Sequence, residues 1–110
     1  LGSDAPIETL NVWHGIHAAV TRQRIDGSPP GGWYPAQCLT LAQTLQGYCI
    51  NPARASGETH QKGMLKVGML ADLTVIPADP FRCATHELHQ LYADLTLVGG
   101  RVAWRRASTD

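Results

Sequence analysis

Apolar residues in the first half of the chain recur at the spacing of an α-helix. Within residues 10–24, Trp13, Ile16 and Val20 follow one another every three or four positions, and polar residues close the segment. Gly15 lowers the helix propensity by about 1 kcal/mol relative to alanine. The pattern predicts a first helix over residues 10–24.

A second helix is predicted after Thr40. This threonine is an N-cap candidate, and Gln43 stands three residues later, which completes a capping box. The helix is expected to end near residues 49–50, because Asn51 precedes Pro52 and a residue before proline disfavours the α conformation.

A further short helix is predicted directly after it, over residues 51–57. Asn51 is its expected cap, Pro52 its first residue and Gly57 its terminator.

Residues 26–35, DGSPPGGWYP, are predicted to form a loop because proline and glycine dominate them. Trp33 and Tyr34 are unusual in a loop, and we expect them to pack against a neighbouring surface.

The second half changes to a pattern typical of short strands. Leu73, Val75 and Ile76 form a β-prone run that Pro77 closes, and residues 78–81 form a turn. Residues 85–91 can form one or two helical turns.

The clearest local signal is a β-hairpin near the end of the chain. Residues 95–98 and 101–104 flank Gly99 and Gly100, which can take the positive φ angles of a tight hairpin turn. Helices followed by a short antiparallel meander indicate the α+β class.

Composition limits the possible functions. The chain has 110 residues, 44% of them hydrophobic and 16% charged, with a formal net charge of zero. It is one domain or part of one, and its zero net charge argues against a nucleic-acid-binding protein, which would need a basic face. No apolar run approaches the roughly 20 residues of a membrane helix, and no signal-peptide pattern appears. Three cysteines without close spacing are expected to be reduced, which favours a cytoplasmic protein.

Histidines and nucleophiles give only weak signals. Each of two histidine pairs is spaced by three residues and could share a helix face, but neither matches a metal motif, so surface or core-edge roles are favoured. The pairs are His14 with His17, and His86 with His89. His60 stands among polar residues and is expected to be solvated. No serine-hydrolase elbow, phosphate loop or dinucleotide motif is present.

Asp4, in the opening stretch LGSDAPI, has two interpretations. With Ser3 it could cap a turn or helix that Pro6 begins, and such turns are common. Alternatively, it is a metal-binding carboxylate at the end of a strand, with Gly2 and Ser3 allowing a close approach. These residues alone favour the cap.

Six segments span almost the whole chain in a characteristic order: GSDAPI, GIHAAVTRQ, PPGGWYP, LTLAQTLQGYCINPARASG, KGMLKVGMLADLTVIPADPF and LTLVGGRV. Their order closely resembles the C-terminal end of the metal-dependent amidohydrolases, in the branch that includes the N-substituted formamide deformylases. The most characteristic motif, G-x-L-x-x-G-x-x-A-D-L, also occurs across other branches, so the specificity comes from the order.

The resemblance implies a role for Asp4. In this superfamily a (β/α)8 barrel binds one or two divalent metals at the C-terminal ends of its strands. The aspartate after the eighth strand binds the metal and accepts a proton from the metal-bound water. Asp4 is similar to that residue, so the resemblance implies a catalytic and metal-binding Asp4. The parent is expected to use a divalent metal, zinc foremost, whereas this piece alone can lack it.

The same resemblance divides the chain. Residues 1–57 correspond to the end of a TIM-type barrel, and residues 58–110 to part of a flanking β-sandwich. A barrel needs about 250 residues, so the other metal ligands lie outside this chain. We therefore expect part of a hydrolase of non-peptide carbon–nitrogen bonds that is inactive by itself.

Three further expectations follow from the resemblance. Trp33 could form an apolar wall of the substrate pocket, or could pack on the outside of the barrel. Asp72 is a structural aspartate of the sandwich. Strand edges without partners favour a homo-oligomer or a companion chain, with no nucleic acid or membrane involved. The alternative is a non-catalytic α+β module for association or ligand binding.

Overall fold

The helices lie in the first half of the chain and the strands in the second. The computed structural model describes residues 1–107. Its helices and strands are α1 Val12–Thr21, α2 Leu41–Tyr48, α3 Ile50–Ala55, β1 Leu73–Val75, β2 Leu95–Val98 and β3 Arg101–Arg105. Short 3-10 helices lie at Pro35–Gln37, Pro80–Arg82 and Thr85–Gln90. None of the helices in residues 1–107 is both long and apolar enough for a membrane span.

The first helix is shorter than predicted at both ends. It begins after Asn11, whose side-chain oxygen accepts a hydrogen bond from the backbone nitrogen of Trp13 at 3.1 Å. It ends at Arg22, which adopts a left-handed conformation with φ of 55°. A side-chain cap at one end and a left-handed residue at the other define the helix.

The capping box at the start of α2 is confirmed. The backbone nitrogen of Gln43 donates to Thr40 Oγ1 at 3.2 Å, and the backbone nitrogen of Thr40 donates to Gln43 Oε1 at 2.9 Å. Two donors that a helix start leaves free are thereby satisfied.

The prediction that Asn51 caps the third helix is wrong. The chain turns sharply at Cys49, and α3 begins at Ile50, so Asn51 lies inside the helix and accepts a hydrogen bond from Arg54 at 3.2 Å. Pro52 still fits, because the backbone nitrogens of a first helical turn need no helical acceptor.

The three strands form an antiparallel sheet in the order β1-β2-β3. Gly99 and Gly100 connect β2 to β3 with φ of 56° and 77°, which confirms the predicted hairpin turn. Asp72 Oδ1 accepts a hydrogen bond from the backbone nitrogen of Gly99 at 2.7 Å, so Asp72 ties the start of β1 to this turn.

The core lies between α1 and residues 85–91 and not on the sheet. Trp13 and Ile16 of α1 pack against Leu88 and Leu91, and all four side chains are buried. This core joins the two segments that the sequence assigned to separate domains, residues 1–57 and 58–110. That division remains a prediction.

The α+β class is confirmed for the described residues, but the finer architecture remains a prediction. Within residues 1–107 no strand precedes Leu73, and the three strands form a single sheet. Large apolar side chains of the sheet, including Val98, Val102 and Trp104, are exposed.

Removing the capping box tests the local origin of α2. We expect Thr40→Ala to lower the free energy of unfolding by about 1 kcal/mol, because the backbone nitrogen of Gln43 loses its acceptor. Urea unfolding followed by circular dichroism measures the effect. Gln46→Ala, at an exposed position of the same helix, is the control and should change the midpoint little. Equal effects of the two substitutions would show that the box contributes nothing.

Candidate functional site

Asp4 lies in an exposed turn before α1. The backbone nitrogen of Ile7 donates to the Asp4 carbonyl oxygen at 2.9 Å, and that of Glu8 donates to Ser3 at 3.3 Å. Asp4 has φ of 51°, a left-handed conformation that aspartate tolerates better than most residues. Both acceptors are backbone carbonyl oxygens, so Asp4 lies in a turn, and the role of its carboxylate remains a prediction. The helix-cap interpretation is wrong, because α1 starts only at Val12 and is capped by Asn11.

Both sides of the Asp4 turn are attached to helices. Upstream, the backbone nitrogen of Leu1 donates to the carbonyl oxygen of Gly47 in α2 at 3.0 Å. The Leu1 side chain also covers Gly47, where a Cβ would lie 2.7 Å from Leu1 Cδ1. Downstream, Asn11 leads into α1. Asp4 is thus an exposed residue between Leu1, which contacts α2, and the start of α1.

A groove of about 910 Å³ begins beside this turn. It is lined by residues before α1, by residues of α1, by residues 23–26 and by Tyr48 of α2. Asp4 is not among the lining residues, although Ser3 is. The groove therefore reaches Ser3, but the side chain of Asp4 does not line it.

Charged and polar side chains border the groove. They include Glu8, His14, Arg24 and Asp26. The hydroxyl of Ser28 donates to Asp26 at 2.6 Å and lowers the pKa of Asp26, with a further lowering by the Ser28 backbone nitrogen. Asp26 therefore remains ionised at neutral and mildly acidic pH.

Gly15 has a packing role that the sequence did not indicate. The hydroxyl of Tyr48, from α2, lies where a Cβ of residue 15 would stand. Both residues line the groove. The glycine that weakens α1 thus allows α2 to approach it.

The two histidine pairs meet in space. The rings of His17 in α1 and His89 in residues 85–90 lie edge to face, with centroids 5.1 Å apart. His17 is only 2% exposed, so it belongs to the core, whereas His60 is exposed as predicted. Sequence spacing showed the pairs but could not show that they face each other.

Trp33 lies apart from the groove beside Ser3. It borders an adjoining hollow of about 630 Å³ with Arg22 and Arg24, and it remains 62% exposed. Tyr34 contacts its ring edge to face at 4.8 Å, and the Arg22 guanidinium lies 5.0 Å from the ring centroid. The predicted packing of these aromatic residues is mainly against each other and Arg22.

The described residues do not assemble a metal site. Within residues 1–107 no three histidine, cysteine, aspartate or glutamate side chains are grouped so that they could hold a metal ion. A catalytic divalent metal generally needs about three protein ligands. Asp4 can supply one ligand but cannot form a site alone.

Comparison with known proteins shows the family of the chain. The family model described as "Amidohydrolase family" matches residues 1–104. The chain belongs to the amidohydrolase family.

Two curated relatives show how much of such a protein is present. The N-substituted formamide deformylase of Arthrobacter pascens is 35% identical over 109 residues, which is 99% of this chain and 20% of that protein. YtcJ of Bacillus subtilis (strain 168), named as a candidate amidohydrolase, is 28% identical over 106 residues, 96% of this chain and 20% of that protein. This amidohydrolase chain therefore spans about a fifth of the length of these relatives. No solved structure matches it.

The contact between Gly15 and Tyr48 predicts a measurable coupling. Alanine at position 15 favours the helix by up to about 1 kcal/mol, but its Cβ must displace the Tyr48 hydroxyl. We expect Gly15→Ala to be more favourable in a Tyr48→Phe background than in the original chain, by roughly 1 kcal/mol. A double-mutant cycle of urea unfolding measures the difference. Additive effects would show that the hydroxyl does not restrict position 15.

Proposed function

We propose that this chain is the part of a metal-dependent hydrolase that supplies the catalytic aspartate, Asp4, for cleavage of non-peptide carbon–nitrogen bonds. The observation that carries the proposal is the match of the amidohydrolase family over residues 1–104. It is supported by the exposed Asp4 carboxylate on a segment held by Leu1 on one side and Asn11 on the other.

The chemistry of such an enzyme divides between this chain and the rest of the protein. A bound divalent metal, zinc foremost, would supply a water molecule of lowered pKa. Asp4 would accept the proton and return it to the leaving amine, which needs an exposed carboxylate in a fixed position. The other ligands would come from residues outside this chain, so the chain alone would be inactive.

The substrate class follows from the relatives and the groove. The name of the A. pascens relative indicates that it acts on N-substituted formamides. We propose a small amide-type substrate for the protein that contains this chain. The groove beside Ser3 could take part of it, and Trp33 could form an apolar wall in the adjoining hollow. A cytoplasmic location belongs to the same proposal.

A non-catalytic association module is the second candidate. The observation that favours it is the exposed sheet: β1 and β3 are the outer strands in residues 1–107, and Val75, Val102 and Trp104 are exposed. Outer strands with exposed apolar side chains favour pairing with another chain.

Transplantation tests the role of Asp4. We expect a chimera in which this chain replaces the matching fifth of the A. pascens deformylase to hydrolyse N-substituted formamides. Asp4→Asn should reduce kcat at least ~100-fold, because the general base is lost. Glu87→Gln, at an exposed carboxylate far along the chain, should leave the rate unchanged.

Metal content of the unmodified 110-residue chain completes this test. After dialysis, elemental analysis should find no stoichiometric metal that depends on Asp4. A folded chimera that keeps its full rate with Asp4→Asn would refute the catalytic role.

Association is tested separately. We expect the chain to sediment as a species larger than a monomer at micromolar concentration, because exposed strand edges pair. Val102→Asp, which places a charge on the exposed outer strand β3, should shift the distribution toward the monomer. Thr9→Asp, at an exposed position away from the sheet, is the charge-matched control. A clean monomer of the unmodified chain would contradict the proposal.

A further inference from the structure

The contact between α1 and residues 85–90 contains two histidine rings. His17 follows the buried Ile16, and His89 follows the buried Leu88, so the rings lie beside the main apolar cluster. Their centroids are 5.1 Å apart and their planes are inclined by 80°. His17 is 2% exposed. A charged imidazole in such a position loses most of its hydration.

The surroundings of the pair offer little compensation for a positive charge. His89 Nδ1 is buried and has no hydrogen-bond partner within residues 1–107. The neighbouring titratable groups on the two packed elements are mostly histidines, namely His14 on α1 and His86 on the facing segment. The exposed carboxylate of Glu87 lies 4.0 Å from His86. Tyr48 of α2 packs on α1 at Gly15, and the groove that His17 borders also contains Glu8, Arg24 and Asp26.

These surroundings lower the pKa of His17. Burial is the largest cause, and the charges of His89, His14 and His86 lower the pKa of His17 further. The released imidazole has its ordinary pKa of about 6.5. Above that pH His17 is neutral whether the contact is packed or released, so the contact keeps its full stability. As the pH falls below about 6.5, His17 takes up a proton in the released state and stays neutral in the packed state. The free energy that favours the packed state therefore decreases until the pH reaches the lowered pKa of His17.

We propose that the His17–His89 contact is an acid-sensitive joint, closed when the His17 imidazole is neutral and loosened when that imidazole takes up a proton. Loosening separates residues 85–90 from α1. His14 and His17 also line the groove beside Ser3. Loosening of the joint therefore alters the part of the groove wall that these two residues form. This inference does not depend on the proposed hydrolytic function.

Trp13 provides a local probe of the joint. It is 6% exposed and packs with Ile16, Leu88 and Leu91. Trp33→Phe and Trp104→Phe together leave Trp13 as the only tryptophan of the chain. In this background we expect the urea-induced red shift of Trp13 emission to report release of residues 85–90. The equilibrium constant for this release should not change above pH 7 and should rise by up to about tenfold per pH unit below pH 6.5.

Matched variants identify the groups responsible. In His17→Gln/His89→Gln, which lacks the His17 imidazole, the equilibrium constant should be nearly independent of pH between 7.5 and 5.5. His60→Gln, at an exposed histidine outside the contact, should keep the original pH dependence. Asp26 and Glu58 do not contribute in this range, because hydrogen bonds lower the pKa of each carboxyl group.

Two results would overturn the proposal. One is a release constant of the unmodified joint that does not change between pH 7.5 and 5.5. The other comes from NMR titration of the original chain, which remains decisive if the double variant does not fold. His17 should titrate below the ordinary imidazole pKa of about 6.5, and titration of His17 at or above that pH would exclude the joint.

Discussion

Packing of α1 against residues 85–91 is the contact on which the rest of the structure depends. Trp13 and Ile16 face Leu88 and Leu91 across it, and these are the large apolar side chains that are buried. Each buried aliphatic side chain contributes about 1.5–3 kcal/mol, whereas a single hydrogen bond such as that of Asp72 contributes about 1 kcal/mol net. The hairpin and the caps shape local structure, but this contact connects the two halves of the chain.

Local sequence signals predicted the elements well wherever the determining groups are neighbours in the chain. Thr40 and Gln43 satisfy each other within one helical turn, and Gly99 with Gly100 fits a two-residue hairpin turn. The prediction that Asn51 caps α3 was wrong, although the residues that decide it are also neighbours in the chain. The turn at Cys49 starts the helix earlier than the proline signal indicated.

The features that the sequence could not predict all join residues far apart in the chain. Leu1 on Gly47, Tyr48 on Gly15 and His17 on His89 are such contacts. In each case one partner looked unremarkable or unfavourable by itself, as Gly15 did in a helix. Periodicity places a residue on a face of its own helix, but it does not say which element covers that face. Among the features that were not predicted, the Asn11 cap has a recognisable sequence signal, because asparagine is a common N-cap before a helical pattern.

The candidate site shows the same distinction between local and distant determinants. Asp4 lies in a local turn closed by Ile7, whereas the chain before it contacts α2 through the long-range bond from Leu1 to Gly47. A metal site at the mouth of a barrel instead collects side chains from the ends of several strands. In the proposed enzyme, this chain, which spans a fifth of its relatives, would supply one ligand, and residues 1–107 contain no complete set. The proposed chemistry of Asp4 therefore rests on family membership and not on the surroundings of Asp4.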